Sequence, residues 1–106
     1  MDLSFTSTLV SWRGPAPFVF APMPEDAADE VAAVAHLVTY GWGAIPAAVH
    51  LARADAPTSE DGFAYTTSLF PREGTYFVPV KVAVQRATGV DVGDAVRIDL
   101  HLEARG

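Results

Sequence analysis

Three cations in the second half of the chain are the residues best suited to bind a ligand. Arg72 lies in a predicted turn, and Lys81 opens a predicted helix that carries Arg86 five positions later on a diverging face. A guanidinium offers a fork of donors and an ammonium a compact charge, so the two suit a small carboxylate or phosphate. We predict one shallow anion-binding site at one end of the fold, formed by Trp42, Arg72, Tyr76 and Lys81. Ordinary solvated charge explains the same cations and is the preferred interpretation, with the shared site as the functional hypothesis beside it.

The three histidines do not have the spacing of a metal site. His36 falls on the polar face of a predicted helix, whereas His50 and His101 take outward positions on two predicted strands. No pair of them has the i, i+4 spacing of a helical chelate, and the chain has no cysteine to complete a zinc or iron–sulfur site. We therefore expect three surface histidines, no metal and no cofactor.

The chain contains no catalytic signature. Ser68 is not surrounded by a G-x-S-x-G turn, and no histidine or acid lies at a diagnostic distance from it. The segment from Gly89 to Asp94 contains glycine but lacks the pattern of a phosphate-binding loop. We expect no catalytic residues. An enzyme that uses Arg72, Tyr76 and Lys81 on a small substrate is the alternative.

The hydrophobic pattern predicts a mainly β fold with two short helices. Alternation of apolar and polar residues predicts about six strands, at residues 3–12, 18–21, 45–52, 63–69, 76–78 and 96–103. In the first of these strands the apolar residues change face, which indicates a twist or bulge near Ser7. These elements together predict a small β-barrel.

The two helices are predicted near residues 24–38 and 80–88. Pro24 suits the first position of a helix, and the acids that follow suit its amino-terminal turns. The second segment is ambiguous because its β-branched residues favour a strand. Its apolar residues have helical spacing, however, and Gly89 stands where a carboxyl-terminal cap belongs, so we predict a helix.

A weak internal repeat relates the two halves of the chain. Phe20-Ala21-Pro22 precedes a helix and a strand that contains Val49-His50-Leu51, and Phe77-Val78-Pro79 precedes a helix and a strand that contains Leu100-His101-Leu102. The halves are either related by a pseudo-two-fold axis or alike by chance.

Length and charge exclude several classes of function. A chain of 106 residues is one domain, here residues 1–106, and no apolar run approaches the ~20 residues that span a bilayer. The net charge of −6 provides no cationic face for nucleic acid and disfavours anionic membranes. The arginine-rich and alanine-rich composition indicates a GC-rich bacterial genome, and a cytoplasmic location is expected.

The motifs of the chain resemble the domain of unknown function 1905 family. They are WxGPxxFV at 12–19, GWGxIP at 41–46, TSLFPxxGxYxxPVK at 67–81 and GxxxGDxV at 89–96. The resemblance covers nearly the whole chain and implies a double-split β-barrel with no established activity. Residues 78–96 also resemble the swapped-hairpin DNA-binding domains of antitoxins and transition-state regulators. That second similarity bears on the fold, because the charge of this chain does not suit DNA.

Three functions follow from these observations. The preferred one is a non-catalytic binding or interaction module for a small anionic ligand or a protein partner. The second is a small-molecule enzyme, and the third is a DNA-binding regulator. The oligomeric state is left open, with a homodimer as one alternative.

Overall fold

The computed structural model describes residues 1–12, 18–38, 45–56, 62–72 and 74–102, and the side chains of all of these except residues 12, 35–38 and 72. Seven strands and two helices lie in these ranges. They are β1 (Asp2–Thr8), β2 (Val10–Trp12), β3 (Phe18–Pro22), α1 (Glu25–Val38), β4 (Ile45–Arg53), β5 (Phe63–Arg72), β6 (Thr75–Val80), α2 (Val82–Thr88) and β7 (Ala95–His101).

The strands form one curled antiparallel sheet in the order β1-β7-β4-β5-β6-β3-β2. β1 and β2 lie at opposite edges of this order, yet Leu9 alone separates them in the chain. The sheet must therefore curl until its two edges approach, and the Ser7 hydroxyl, which donates to the Pro22 carbonyl over 2.6 Å, links β1 to β3, the strand beside β2. The predicted mainly β fold, a small β-barrel with two short helices, is confirmed.

The predicted first strand divides into two at Leu9, which raises the six predicted strands to the seven described. Leu9 leaves the ladder because the turn before β7 holds its backbone instead. Its amide donates to the Asp94 carbonyl over 3.0 Å, and its carbonyl accepts from the Gly93 amide over 2.9 Å. The Leu9 side chain is buried, and Val10 after it points to solvent, so the predicted change of face occurs here.

The core lies on the side of the sheet that the helices cover. Alternate residues of the central strands point into it, among them Val49, Leu51 and Ile98, and burying one such side chain stabilises the fold by roughly 1.5–3 kcal/mol. Val31 of α1 and Val84 of α2 belong to the same apolar cluster. On the opposite surface, β7 presents the polar residues Arg97, Asp99 and His101, whereas β4 presents His50 beside the apolar Ala48.

The second helix begins one residue after β6. Lys81 occupies its N-cap position with extended backbone angles, and Gly89 ends it in the left-handed region with φ +72°. The Gly89 amide donates to the Gln85 carbonyl over 2.8 Å. This is the cap that the position of the glycine predicts. Val80, placed in the helix by the sequence pattern, belongs to β6.

The two halves of the domain follow one plan. β3, α1 and β4 form the first half, and β6, α2 and β7 form the second. β3 pairs with β6 so that Phe20 faces Pro79 and Pro22 faces Phe77, while β4 pairs antiparallel with β7. A pseudo-two-fold axis would pair equivalent strands with each other in antiparallel orientation, as these strands do. The pairing therefore supports the internal repeat.

Candidate functional site

The structure describes only part of the anion site that the sequence predicts. Trp42 lies outside the described residues, and of Arg72 only the backbone is described, at the end of β5 opposite Thr75. Tyr76 is half-buried and packs against the core cluster. Lys81 is exposed, and its ammonium donates to the Thr66 carbonyl over 3.2 Å.

The backbones of Arg72 and Lys81 lie at opposite ends of β6. Arg72 pairs with Thr75 at the start of this strand, whereas Lys81 follows its last residue. Six extended residues span about 20 Å. One small anion between the two would need both side chains to extend toward each other along the strand. The shared site, which also depends on Trp42, stays a prediction.

A different set of polar side chains meets on the outer surface of β1, β7, β4 and β5. The pairing register places Ser4, Asp99, His50 and Ala64 in one row across these strands, and Asp2, His101 and Ala48 in the row beside it. These seven residues line a shallow depression of about 340 Å³, here called the histidine groove. Ala48 and Ala64 create the depression because their methyl groups leave the sheet surface low between larger neighbours.

Two imidazole–carboxylate contacts form the polar side of the histidine groove. Nδ1 of His101 lies 2.6 Å from Oδ1 of Asp2. Nδ1 of His50 lies 3.8 Å from Oδ2 of Asp99, whose other oxygen accepts a 2.6 Å hydrogen bond from the Ser4 hydroxyl. The hydrogen bond with His101 holds the pKa of Asp2 below its usual value, against a smaller opposing effect of desolvation.

Gly62 sets the position of the His50 ring. A Cβ atom at residue 62 would lie 2.3 Å from Cε1 and 2.7 Å from Nε2 of His50, and 2.8 Å from the Leu51 carbonyl oxygen. Cβ atoms do not approach other atoms so closely, so the ring can rest against this backbone because residue 62 is glycine.

The hydrogen bonds of the histidine groove do not form a catalytic triad among Ser4, His50 and Asp99. Asp99 stands between Ser4 and His50, so the serine hydroxyl donates to a carboxylate and no imidazole takes its proton. That order differs from the one that activates a serine nucleophile, in which the histidine is central. Among the residues that the structure describes, no three acids or histidines are placed to hold a metal ion.

A second surface feature lies on the outer face of β3, β5 and β6. Phe20 contacts three other rings, with centroid distances of 5.2 Å to Phe70, 5.6 Å to Phe77 and 6.0 Å to Phe18. Phe20 and Phe77 are buried, whereas Phe18 is 55% exposed. This aromatic cluster stabilises the β3–β6 half of the sheet through edge and tilted ring contacts.

Sequence reasoning placed His50 and His101 at outward strand positions and missed that they line the same groove. The internal repeat contained the signal, because it makes the two histidines equivalent positions of two strands that pair. Asp99 and Asp2 lie beside these histidines because of the pairing register of three strands. The spacing of residues along the sequence does not reveal that register. The side chain of His36 lies outside the described residues.

The fold and the groove define a small β-barrel domain with an open polar depression on one sheet face. The family model of the domain of unknown function 1905 matches residues 5–100, and the chain belongs to this family. Among curated proteins, no sequence matches it. In the described part of the chain, neither helix is long and apolar enough to cross a membrane.

Proposed function

We propose that the domain is a non-catalytic module that binds a small molecule in the histidine groove. The observation that supports this most directly is the shape of the groove, a depression with an alanine floor and a rim of paired imidazoles and carboxylates. Small-molecule sites combine an apolar surface with a few polar groups that fix the orientation of the ligand.

Binding suits these residues better than catalysis does. The Ser4 hydroxyl donates to Asp99, and the His50 ring is held between Asp99 and Gly62. A nucleophile beside an orienting base is the arrangement that covalent catalysis needs, and the groove does not contain it. The imidazoles and carboxylates instead present hydrogen-bonding groups at fixed positions on a rigid sheet.

A fragment screen by ¹⁵N-resolved NMR tests the proposal. We expect ligands to shift the amide signals of Ala48, His50 and Ala64, and we expect His50→Ala to weaken that binding. Val82→Ala is the matched control, because Val82 is exposed on α2 and lies outside the groove. Fragments that bind well but leave the groove signals unmoved would contradict the proposal.

A small anion at Lys81 is a second candidate, which the exposed ammonium of that residue favours. Its bond to the Thr66 carbonyl holds one of three donor hydrogens and leaves the charge unneutralised. Phosphate and citrate titrations of the native chain, Lys81→Ala and the control Arg97→Ala test it, since Arg97 lies on β7 opposite Thr6 and Ala52. Binding that survives Lys81→Ala removes this candidate and leaves the groove proposal standing.

A further inference from the structure

The register of the outer face arranges the histidine groove in diagonal stripes. Asp2 and Asp99 are diagonal neighbours across β1 and β7, and His101 and His50 are diagonal neighbours across β7 and β4. Ala48 and Ala64 continue the pattern across β4 and β5. Diagonal neighbours on one face of an antiparallel pair are about 7–8 Å apart. The surface therefore passes from carboxylates through imidazoles to methyl groups within the width of a small molecule.

The charge of the groove favours a cation. The side chains of Asp2 and Asp99 are 82% and 49% exposed, so both carboxylates can reach a ligand. The carboxyl of Asp2 is ionised at neutral pH, as aspartate ordinarily is, and its hydrogen bond to His101 lowers its pKa further. Neither lysine nor arginine is among the described residues that line the groove. An anionic ligand would meet two carboxylates of its own charge, and the chain as a whole carries −6.

The alanine stripe favours an apolar body on the same ligand. Ala48 and Ala64 are exposed at the surface of a sheet whose other side is covered by the core. Covering these methyl groups removes apolar surface from water, which favours the complex. The imidazole of His50 stands beside both alanines, as their neighbour along β4 and across to β5, and provides a flat wall.

We infer that the histidine groove takes a small primary amine with an apolar body, the ammonium facing Asp99 and Asp2 and the body lying on Ala48 and Ala64. This inference rests on the proposed binding function and names the class of its ligand. An ammonium donates three hydrogen bonds, which suits the two carboxylates because each of their oxygens can accept more than one hydrogen bond.

Two probes of equal size and opposite charge test the inference. Phenethylamine and 3-phenylpropionate share a phenyl ring and a two-carbon chain and differ in the charged end. In NMR titrations at neutral pH and low salt, we expect phenethylamine to shift the signals of Ala48, Ala64 and Asp99, and 3-phenylpropionate to leave them in place. Asp99→Asn keeps an oxygen for the Ser4 bond, removes the charge and should weaken amine binding about tenfold.

Asp55→Asn is the matched control, since Asp55 is an exposed acid that pairs with Arg53 outside the groove. Equal amine binding by the two variants overturns the inference. A groove that binds 3-phenylpropionate in place of phenethylamine overturns it too, but leaves the proposed function intact. A groove that responds to neither probe also overturns it, and the fragment screen then decides separately whether the groove binds small molecules at all.

Discussion

The imidazole of His50 and the α-carbon of Gly62 lie so close that a single methyl group on Gly62 would collide with the ring. The added carbon would stand 2.3 Å from Cε1, and it would also meet the Leu51 carbonyl at 2.8 Å. The position of the His50 ring, which borders Ala48 and Ala64, therefore depends on Gly62, the residue just before β5.

Gly62→Ala should destabilise the protein by about 1–3 kcal/mol, because ring and backbone must both shift to accept the methyl group. Urea unfolding measures the cost. In a His50→Ala background two of the three collisions are gone, so the same substitution should cost less there. An equal cost in both backgrounds would show that the ring is not the obstacle, since contacting residues are expected to be coupled.

The contact between Asp2 and His101 should make stability depend on pH in the acid range. Its hydrogen bond lowers the pKa of Asp2 in the folded protein, so the folded state binds this proton less tightly than the unfolded chain does. The contact therefore stabilises the fold above the usual aspartate pKa of about 4, and this contribution disappears as the pH falls through the lowered value.

Urea unfolding at a series of pH values, for the native chain and for Asp2→Asn, should show that the variant lacks this part of the acid dependence. NMR titration of the Asp2 carboxyl gives an independent measurement. In His101→Ala the pKa of Asp2 should rise, and a carboxyl that titrates unchanged in this variant would rule out the hydrogen bond as the cause.

Arg53 should hold the turn between α2 and β7 against the end of β4. Its guanidinium donates to the Gly89 carbonyl over 3.0 Å and to Asp55 over 3.1 Å, and lies 3.6 Å from Asp94. Arg53→Ala should cost at most about 1 kcal/mol, because the pairs are solvated, yet it should speed hydrogen exchange at residues 89–94. The control Arg86→Ala should leave the exchange rates of those amides unchanged. If Arg53→Ala also leaves them unchanged, the turn is stable without Arg53 and the prediction is wrong.

Duplex DNA should not bind to this domain. Affinity for DNA comes largely from cations that displace counterions from phosphates, and a chain with a net charge of −6 has few to offer. Fluorescence anisotropy with a labelled duplex at physiological salt should show no binding in the micromolar range. Specific binding that weakens steeply with added salt would instead support the DNA-binding regulator.

Local patterns predicted most of the fold and little of the site. Alternation identified the strands, and Gly89 marked the end of α2, because both signals lie within a few neighbouring residues. The break at Leu9 was placed only approximately, near Ser7, because its cause is a pair of hydrogen bonds to residues more than eighty positions away. The histidine groove depends on the register of four strands, and no local pattern encodes that register.

The pairing of β1 with β7 has a consequence for how the domain folds during its synthesis. β1 pairs with β7, and Asp2 meets His101 across 99 residues of sequence. During synthesis, β1 leaves the ribosome first, and its partner β7 emerges only after nearly the whole domain has been made. Contacts so distant in sequence slow folding, so we expect nascent chains that end before β7 to expose an unpaired edge at β1. Chaperones that shield such edges would act on this domain while β7 is still inside the ribosome.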